Sequence, residues 1–473
     1  MRLRLGPSFD SRGRGPREEY SLPAQHLVTH AVVTGMTGSG KTGLLFVLVE
    51  EALRQGVPVL MVDVKGDLTN LLLAFESRDA GAFAPWIDPL VAESAGQSVE
   101  SLSESIRAQR DSGLARAGIH PEDVTRFREA TRVRLLTPGT TAGEPVHLLS
   151  SLERRSPLWD SDEEAARESL SSAVSLLLRL VGRDADPARS REHVLLSVLA
   201  ERRLREGLAA DLPALLDELE TPPIERIGAM PLDRFVSKKD RNTLAAALNA
   251  LVASPSFASW RTGAALDVSA WLTPSDERTP ATIGSVAHLD DEERRLVLGL
   301  LLDEVLSFVR AQPGTSALRA LVVLDEVYGM LPPHPANPPT KRPLVALMKQ
   351  ARAFGVGVVL ATQNPMDLDY RALSNAGLWC IGRLQTDADR ERVVDGLSDS
   401  DASATANGAS REELNETIKR LGKRWFLVRN AHQGAEGTRL LQPRQTISWL
   451  RGPLTRHELR RLLAVRDEPR PTT

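Results

Sequence analysis

The sequence predicts an α/β protein: a central, mostly parallel sheet carrying a large helical insertion. Three observations predict it. Short apolar runs alternate with helical periodicities towards both ends of the chain, the pattern of a covered sheet. The first two runs flank a single helix at the spacing of a β–α–β unit, which makes the strands parallel. Between the two ends, residues 160–255 carry helical periodicity and few strand signals.

Composition sets the frame. A chain of 473 residues holds two or three structural units, on a soft prior of roughly 100–200 residues each. Hydrophobic residues at 42% and charged residues at 26% describe an ordinary globular protein. The formal charge of -3 gives no global sign of a nucleic-acid or membrane partner, although a local basic stripe or the bore of a ring can be positive on a neutral chain. Cys380 is the single cysteine, so an intrachain disulfide is excluded and a cytosolic setting fits. The first residues lack the apolar core of a signal peptide. No run approaches the ~18 consecutive apolar residues of a membrane span, and the expected location is cytoplasmic.

Residues 1–20 are expected to form a flexible basic tail, in which Arg2, Arg4, Arg12, Arg14 and Arg17 either touch phosphate or stay solvated. Residues 21–75 read as the first half of the sheet domain: a strand at Ala31–Val33, a glycine-rich turn, a helix over Lys41–Arg54, and a strand at Val59–Val62 that ends in Asp63. Residues 76–265 read as the helical insertion, with a strand near Val133–Leu136 and helical spacing at Leu170, Val174, Leu177, Leu178 and Leu244–Val252. Residues 266–450 return to the sheet domain. Strands are expected at Ala281–Val286, Leu318–Leu324, Val356–Ala361 and Leu378–Leu384, and helices at Glu292–Arg310, Leu344–Phe354 and Asp387–Leu397. Trp425–Leu441 has the look of a closing hairpin. Residues 451–473 hold a last helix, Thr455–Leu463, and a frayed end from Asp467.

The chemistry starts at Gly35-Met36-Thr37-Gly38-Ser39-Gly40-Lys41-Thr42. This is a phosphate loop in the context its mechanism needs, directly after a buried strand and opening a helix. Glycines at such positions let backbone N–H groups turn inward onto phosphate oxygens, and the helix N-terminus adds partial positive charge. Lys41 is expected at the β- and γ-phosphates, and Thr42 as a hydroxyl ligand of Mg²⁺. The bound nucleotide is therefore expected to be ATP with Mg²⁺.

A second run, Leu321-Val322-Val323-Leu324, ends in Asp325-Glu326. Asp325 suits contact with Mg²⁺, and Glu326 the base that polarises an attacking water. A carboxylate beside the metal acid points to hydrolysis rather than to a small-molecule kinase, which must exclude water. The next strand ends in Thr362-Gln363-Asn364-Pro365. Gln363 is the candidate to sense the water or the γ-phosphate and Thr362 the reserve, against a glutamine that simply caps a turn. Asp63, Lys65 and Asp67 follow the second strand, near the sheet edge where open α/β folds bind ligands. They orient the Mg²⁺ shell, contact an adjacent subunit, or form a plain loop.

Five stretches together resemble the HerA/FtsK class of P-loop ATPases, and most nearly its HerA-like branch of the YjgR type: VTGMTGSGKT (33–42), GVPVLMVDVKGDL (56–68), LVVLDE (321–326), ARAFGVGVVLATQNP (351–365) and IGRLQTDADR (381–390). The resemblance implies a RecA-like core assembled into a hexameric ring that pumps DNA. It implies nucleotide binding by Gly35, Thr37, Gly38, Ser39, Gly40, Lys41 and Thr42, and hydrolysis by Asp325, Glu326 and Gln363. Arg352 matches the position of an arginine finger that enters the neighbouring subunit's site, where such arginines contribute ~10³–10⁵ in rate. Arg383 matches a second arginine of the class. Either arginine is otherwise a surface salt-bridge residue. The HerA proteins proper carry an N-terminal β-barrel that docks nuclease partners. About 25 residues precede the first expected strand here, too few for a barrel, which departs from the HerA proteins proper on nuclease docking, though the YjgR-type branch also starts close to its phosphate loop; a nuclease or other effector protein stays among the expected partners. The clusters Lys238-Lys239-Asp240-Arg241 and Lys341-Arg342 either face a DNA-lined pore or are solvated helix faces. Two functions stand in competition: an ATP-driven DNA translocase or helicase, and an ATPase switch or assembly platform that remodels a protein partner. Ser448–Arg456 has no assigned role beyond a possible subunit clamp.

Overall fold

In the computed structural model the described residues are 1–10, 13, 17–75, 80–153, 155, 156, 158–365, 368, 369, 373, 376–399 and 411–467. They fall into two compact units. One comprises 1–135, 270–288 and 313–473; the other comprises 136–269 and 289–312.

The first unit is built on an eleven-stranded sheet. Its strands are β1 (Arg2–Asp10), β2 (Glu18–Pro23), β3 (Ala31–Thr34), β4 (Val59–Asp63), β5 (Thr131–Leu136), β6 (Thr279–Ser285), β7 (Thr315–Asp325), β8 (Phe354–Thr362), β9 (Leu378–Ile381), β10 (Phe426–Asn430) and β11 (Thr438–Leu441). The spatial order is β2-β1-β11-β10-β9-β3-β8-β7-β4-β6-β5. The six strands from β9 to β6 run parallel, and β10, β11, β1 and β2 continue the sheet antiparallel. The parallel strands are runs of Val, Leu, Ile and Ala because both faces are covered. Every residue of β3 and β4 is buried, and so are the last six of β7.

Helix α1 (Lys41–Arg54) crosses from β3 to β4 and buries residues all round its circumference, including Leu44, Leu45, Phe46, Leu48 and Leu53. A helix apolar on every side belongs in the core. Its polar exceptions are Glu50 and Glu51, 0% and 2% exposed. They are satisfied by a C-terminal strap. Arg444 donates to Glu50 at 3.0 Å and to Glu51 at 2.9 Å. The backbone N–H groups of Ile447 and Ser448 donate to Glu50 at 2.9 and 2.8 Å, and that of Arg4 donates to Glu51 at 2.9 Å. Arg110 ties the strap down further by donating to the Ile447 carbonyl. The segment around Ser448–Arg456 thus has a role inside the chain, as a strap laid across α1.

The expected basic tail is the largest correction. Residues 2–10 and 18–23 form a hairpin paired to β11, while positions 11, 12 and 14–16 lie outside the described residues. The hairpin exists because Leu3 and Leu5 are fully buried while Arg2 and Arg4 point outward, the period-two alternation of a half-buried strand. At Gly6 the strands come so close that an added Cβ would stand 2.5 Å from the Gln442 carbonyl, with φ at +130°; only glycine fits. A second correction concerns the expected insertion over 76–265. Its first part, with the helices Pro89–Ser94, Val99–Arg116 and Pro121–Ala130 and strand β5, belongs to the sheet unit. The second unit is helical, with helices Glu163–Leu180, Arg191–Arg205, Leu212–Glu220, Lys238–Ala253 and Asp291–Arg310, the last of them following β6 in sequence. The C-terminal helix runs over Arg456–Asp467; positions 468–473, expected to be frayed, lie outside the described residues.

Removing one partner from a buried charge network leaves the others unpaired, at ~3–5 kcal/mol. Arg444→Met is therefore expected to lower unfolding free energy by about that amount, measured by denaturant titration, whereas a change at exposed Arg456 should be near neutral.

Candidate nucleotide-hydrolysis site

Four strand ends meet along one rim of the parallel sheet. In register, Thr34 of β3 lies beside Thr362 of β8, and Asp325 of β7 beside Asp63 of β4. The loop from Gly35 to Gly40 leaves the tip of β3 and turns into α1. Gly40 caps the helix with φ +104°, and an added Cβ would stand 3.0 Å from the Arg424 side chain. The loop is held from both sides: the N–H of Met36 donates to the Arg383 carbonyl at 2.7 Å, and the N–H of Arg424 donates to the Ser39 carbonyl at 2.9 Å.

Lys41, the first residue of α1, folds back over the loop and donates to the carbonyls of Gly35 and Met36. Burial pushes its ammonium down to about 8, opposed by the charges of Glu326 and Asp325. The lysine and the two acids thus share one electrostatic site. Asp325 is 4% exposed, and burial raises its carboxyl to about 6. Asp63 is fully buried and pushed to about 7 by burial, with the nearby charge of Asp325 adding to the rise, even though the N–H of Gly66 donates to its Oδ1 at 2.7 Å. Its other oxygen, Oδ2, is buried without a hydrogen-bond partner, as is the hydroxyl of Ser39 in the loop.

Glu326 sits one residue beyond β7 with φ +67°, a left-handed conformation that is uncommon for a residue with a side chain and is stored at functional sites. Its Oε2 accepts from Lys65 Nζ at 2.6 Å. Its Oε1 faces the tip of β8, where the Thr362 hydroxyl and the Gln363 N–H lie at 3.5 and 3.4 Å. Gln363 accepts in turn from the Thr37 hydroxyl of the phosphate loop at 2.6 Å. The loop, Asp325, Glu326 and Gln363 are therefore together, and Asp63 and Lys65, which the sequence left between a functional and a plain loop, lie among them. Arg424 carried no sequence signal, since it is joined to the loop only by tertiary pairing.

The two arginine candidates separate. Arg383 stands at the loop through its carbonyl, with its side chain exposed. Arg352 precedes β8, at the opposite end of a nine-residue strand from Thr362, roughly 30 Å away at the usual rise per residue. It is exposed and beyond reach of its own chain's loop. Of the basic clusters, Arg241 is buried and paired with Asp233 at 2.8 Å, and Lys341 is paired with Asp369 at 3.3 Å; Lys238 and Lys239 are exposed.

The site fits a nucleotide with Mg²⁺. It offers a glycine turn at a helix N-terminus, a lysine held by loop carbonyls, a buried hydroxyl lacking a partner, and adjacent carboxylates of which one oxygen is unsatisfied. Mg²⁺ is usually held by one or two carboxylates together with phosphate oxygens and waters. Among the described residues no cluster of three His, Cys, Asp or Glu side chains could hold a metal alone.

Residues 12–82, which contain the phosphate loop, match the family model described as "Helicase HerA-like C-terminal". No curated protein is significantly similar in sequence. Among solved structures, the plasmid coupling protein TrwB in complex with ADP and Mg²⁺ superposes with a TM-score of 0.52 at 14% identity, covering 96% of this chain and 97% of that one. TrwB with a non-hydrolysable ATP analogue gives 0.51 at 14% identity, over the same shares of the two chains. VirB4 of Thermoanaerobacter pseudethanolicus gives 0.50 at 13% identity, covering 94% of this chain and 96% of that one. The fold is thus the RecA-like P-loop NTPase fold. Over the phosphate-loop segment the chain is similar to the HerA-like helicase model. Among the described residues no helix is long and apolar enough to cross a membrane.

The raised carboxyl of Asp63 has a consequence for stability. A native state that keeps a proton the unfolded chain has released loses stability as pH rises, here between 3.8 and about 7. With nucleotide and metal absent, Asp63→Asn is expected to be more stable than the parent above neutrality, and the gap should shrink as pH falls through that window. A gap independent of pH, in thermal unfolding across it, would contradict the assignment.

Proposed function

We propose that this protein hydrolyses ATP and works as an oligomeric ring motor that translocates or unwinds DNA. The observation that carries the hydrolytic half is the convergence of Lys41, Asp325 and Glu326 at the loop, through strand register and the Thr37–Gln363–Glu326 contacts. Backbone N–H groups of Gly38, Gly40 and Lys41 and the Lys41 ammonium bind the phosphates, with Gly35, Thr37 and Ser39 shaping the loop. Thr42 and Asp325 would hold Mg²⁺, which would supply positive charge against the phosphates. Glu326 Oε1 takes a proton from a water whose oxygen attacks the γ-phosphorus. The bond from that phosphorus to the bridging oxygen breaks, ADP leaves with the electron pair, and the products are ADP and inorganic phosphate. Gln363, tied to Thr37, senses the γ-phosphate and orients the water.

Arg352 supports the ring. Its place at the far end of its strand suits a neighbour's site, and on this reading a second copy of the chain brings positive charge to each nucleotide. Arg383 at the loop lip is the corresponding arginine in cis. The DNA part of the reading rests on the likeness to TrwB, a plasmid coupling protein, and to the HerA helicase family model. The competing reading, a switch that remodels a protein partner, is favoured by the formal charge of -3. A location in the cytoplasm accords with both.

One experiment tests the reading as a whole: ATP turnover by the full chain with and without double-stranded DNA, over a salt series. Stimulation by DNA that falls steeply with salt is expected of the motor; turnover indifferent to DNA points to the switch. In the same assay Lys41→Ala should lose nucleotide binding, and Glu326→Gln should keep binding while turnover drops by about 10²–10⁴-fold. Arg352→Ala subunits should bind ATP but turn over slowly, and mixing them with Lys41→Ala subunits should restore activity at mixed interfaces. No recovery on mixing counts against an arginine acting in trans.

A further inference from the structure

The two oxygens of Glu326 are not equivalent. Oε2 is taken by Lys65 at 2.6 Å, the shortest contact the carboxylate makes. Among the described residues Oε1 has only the long approaches of the Thr362 hydroxyl and the Gln363 N–H, at 3.5 and 3.4 Å, and it faces the residue that touches the phosphate loop. A general base needs one oxygen free to accept from water and the other held, so that the free lone pair keeps its aim. The backbone does not supply this by itself. Glu326 lies past the last residue of β7 in a left-handed conformation, and its side chain is partly exposed.

Lys65 is itself anchored. Asp63 Oδ1 accepts from the N–H of Gly66 and closes a tight turn over residues 63–66. Gly66 adopts φ +92°, and Pro453 of the C-terminal strap packs against it, 3.3 Å from where a Cβ would stand. The turn therefore presents the lysine from a fixed base between the end of β4 and the strap.

We propose that Lys65 is a positioning residue for hydrolysis: it pins Glu326 Oε2 and thereby assigns Oε1 as the atom that accepts the proton of the attacking water. This rests on Glu326 being the base. Lys41 binds phosphate, and Lys65 acts through the carboxylate instead. The cluster thus has two ammonium groups with different tasks, and the loop Asp63–Asp67 belongs to the hydrolytic machinery.

The test is steady-state ATP hydrolysis by the full-length chain as Lys65→Met, Lys65→Arg, Glu326→Gln and the double variant Lys65→Met/Glu326→Gln, with nucleotide affinity and thermal midpoint measured on each. Misaiming a catalytic group by about an ångström costs ~10²-fold, so Lys65→Met should lose about that much in kcat. Its KM for ATP should stay within about twofold, as for a group acting only in the chemical step. Lys65→Arg should recover most of the loss, and the double variant should be no slower than Glu326→Gln alone. A Lys65→Met variant that raises KM with kcat intact would make Lys65 a phosphate ligand and overturn the proposal, as would an additive loss in the double variant. An inactive Glu326→Gln beside a fully active Lys65→Met sinks this inference and leaves the hydrolytic reading standing. A fully active Glu326→Gln sinks both. Lys65→Arg keeps the cation, so the comparison survives a drop in thermal midpoint in Lys65→Met.

Discussion

Everything at the candidate site depends on the register of parallel strands. Thr34, Thr362, Asp325 and Asp63 come from four segments spread over more than three hundred residues, yet they end side by side because β3, β8, β7 and β4 pair with their tips level. Side chains alternate faces along a strand and both faces are closely packed here, so a slip of one residue would exchange the side chains of the two faces and mismatch the packing on each. The apolar strands thus do more than fill the core. By making any other register costly, they hold the polar residues at their ends in line.

That arrangement gathers charge in a place that resists it. Asp63 and Asp325 sit next to each other with little water, which raises both carboxyls and leaves one Asp63 oxygen unsatisfied. The same burial lowers the Lys41 ammonium. Such a site has the chemistry to take anionic phosphate at the ammonium and the loop, and a divalent cation at the acids. Two buried carboxylates on α1 follow the opposite rule. Glu50 and Glu51 are fully paired by Arg444 and by backbone N–H groups, so their charge is structural. It pins the helix that opens the phosphate loop to a strap whose far end, Pro453, rests on the turn that presents Lys65. The two clusters are joined by this one C-terminal segment.

Much of the sheet unit was legible in the residues. Long apolar runs tipped with acids, a glycine turn followed by a helix, and a hairpin near the C-terminus are local patterns, and strands β3, β4, β6, β7 and β8 lie where those patterns place them. The N-terminal hairpin was hidden because arginine, glycine and proline dominate residues 1–20. The alternation in Arg2-Leu3-Arg4-Leu5 is too short to outweigh that composition, and the strand is held by pairing with β2 and β11. The extent of the insertion was misread for a related reason: helices at 99–116 and 121–130 look alike in sequence whichever unit they pack against.

By itself the sequence determined the phosphate loop, the acidic pair after a buried strand and the class of fold, because each depends on residues close together in the chain or on a simple periodicity. Tertiary structure alone decided which of the remaining charged residues matter. Lys65 meets Glu326 across 261 positions of sequence, Arg424 braces the loop from a distant hairpin, and Arg352 is carried to the far end of its strand. Contacts of this kind depend on sheet order and register, and no local pattern encodes those.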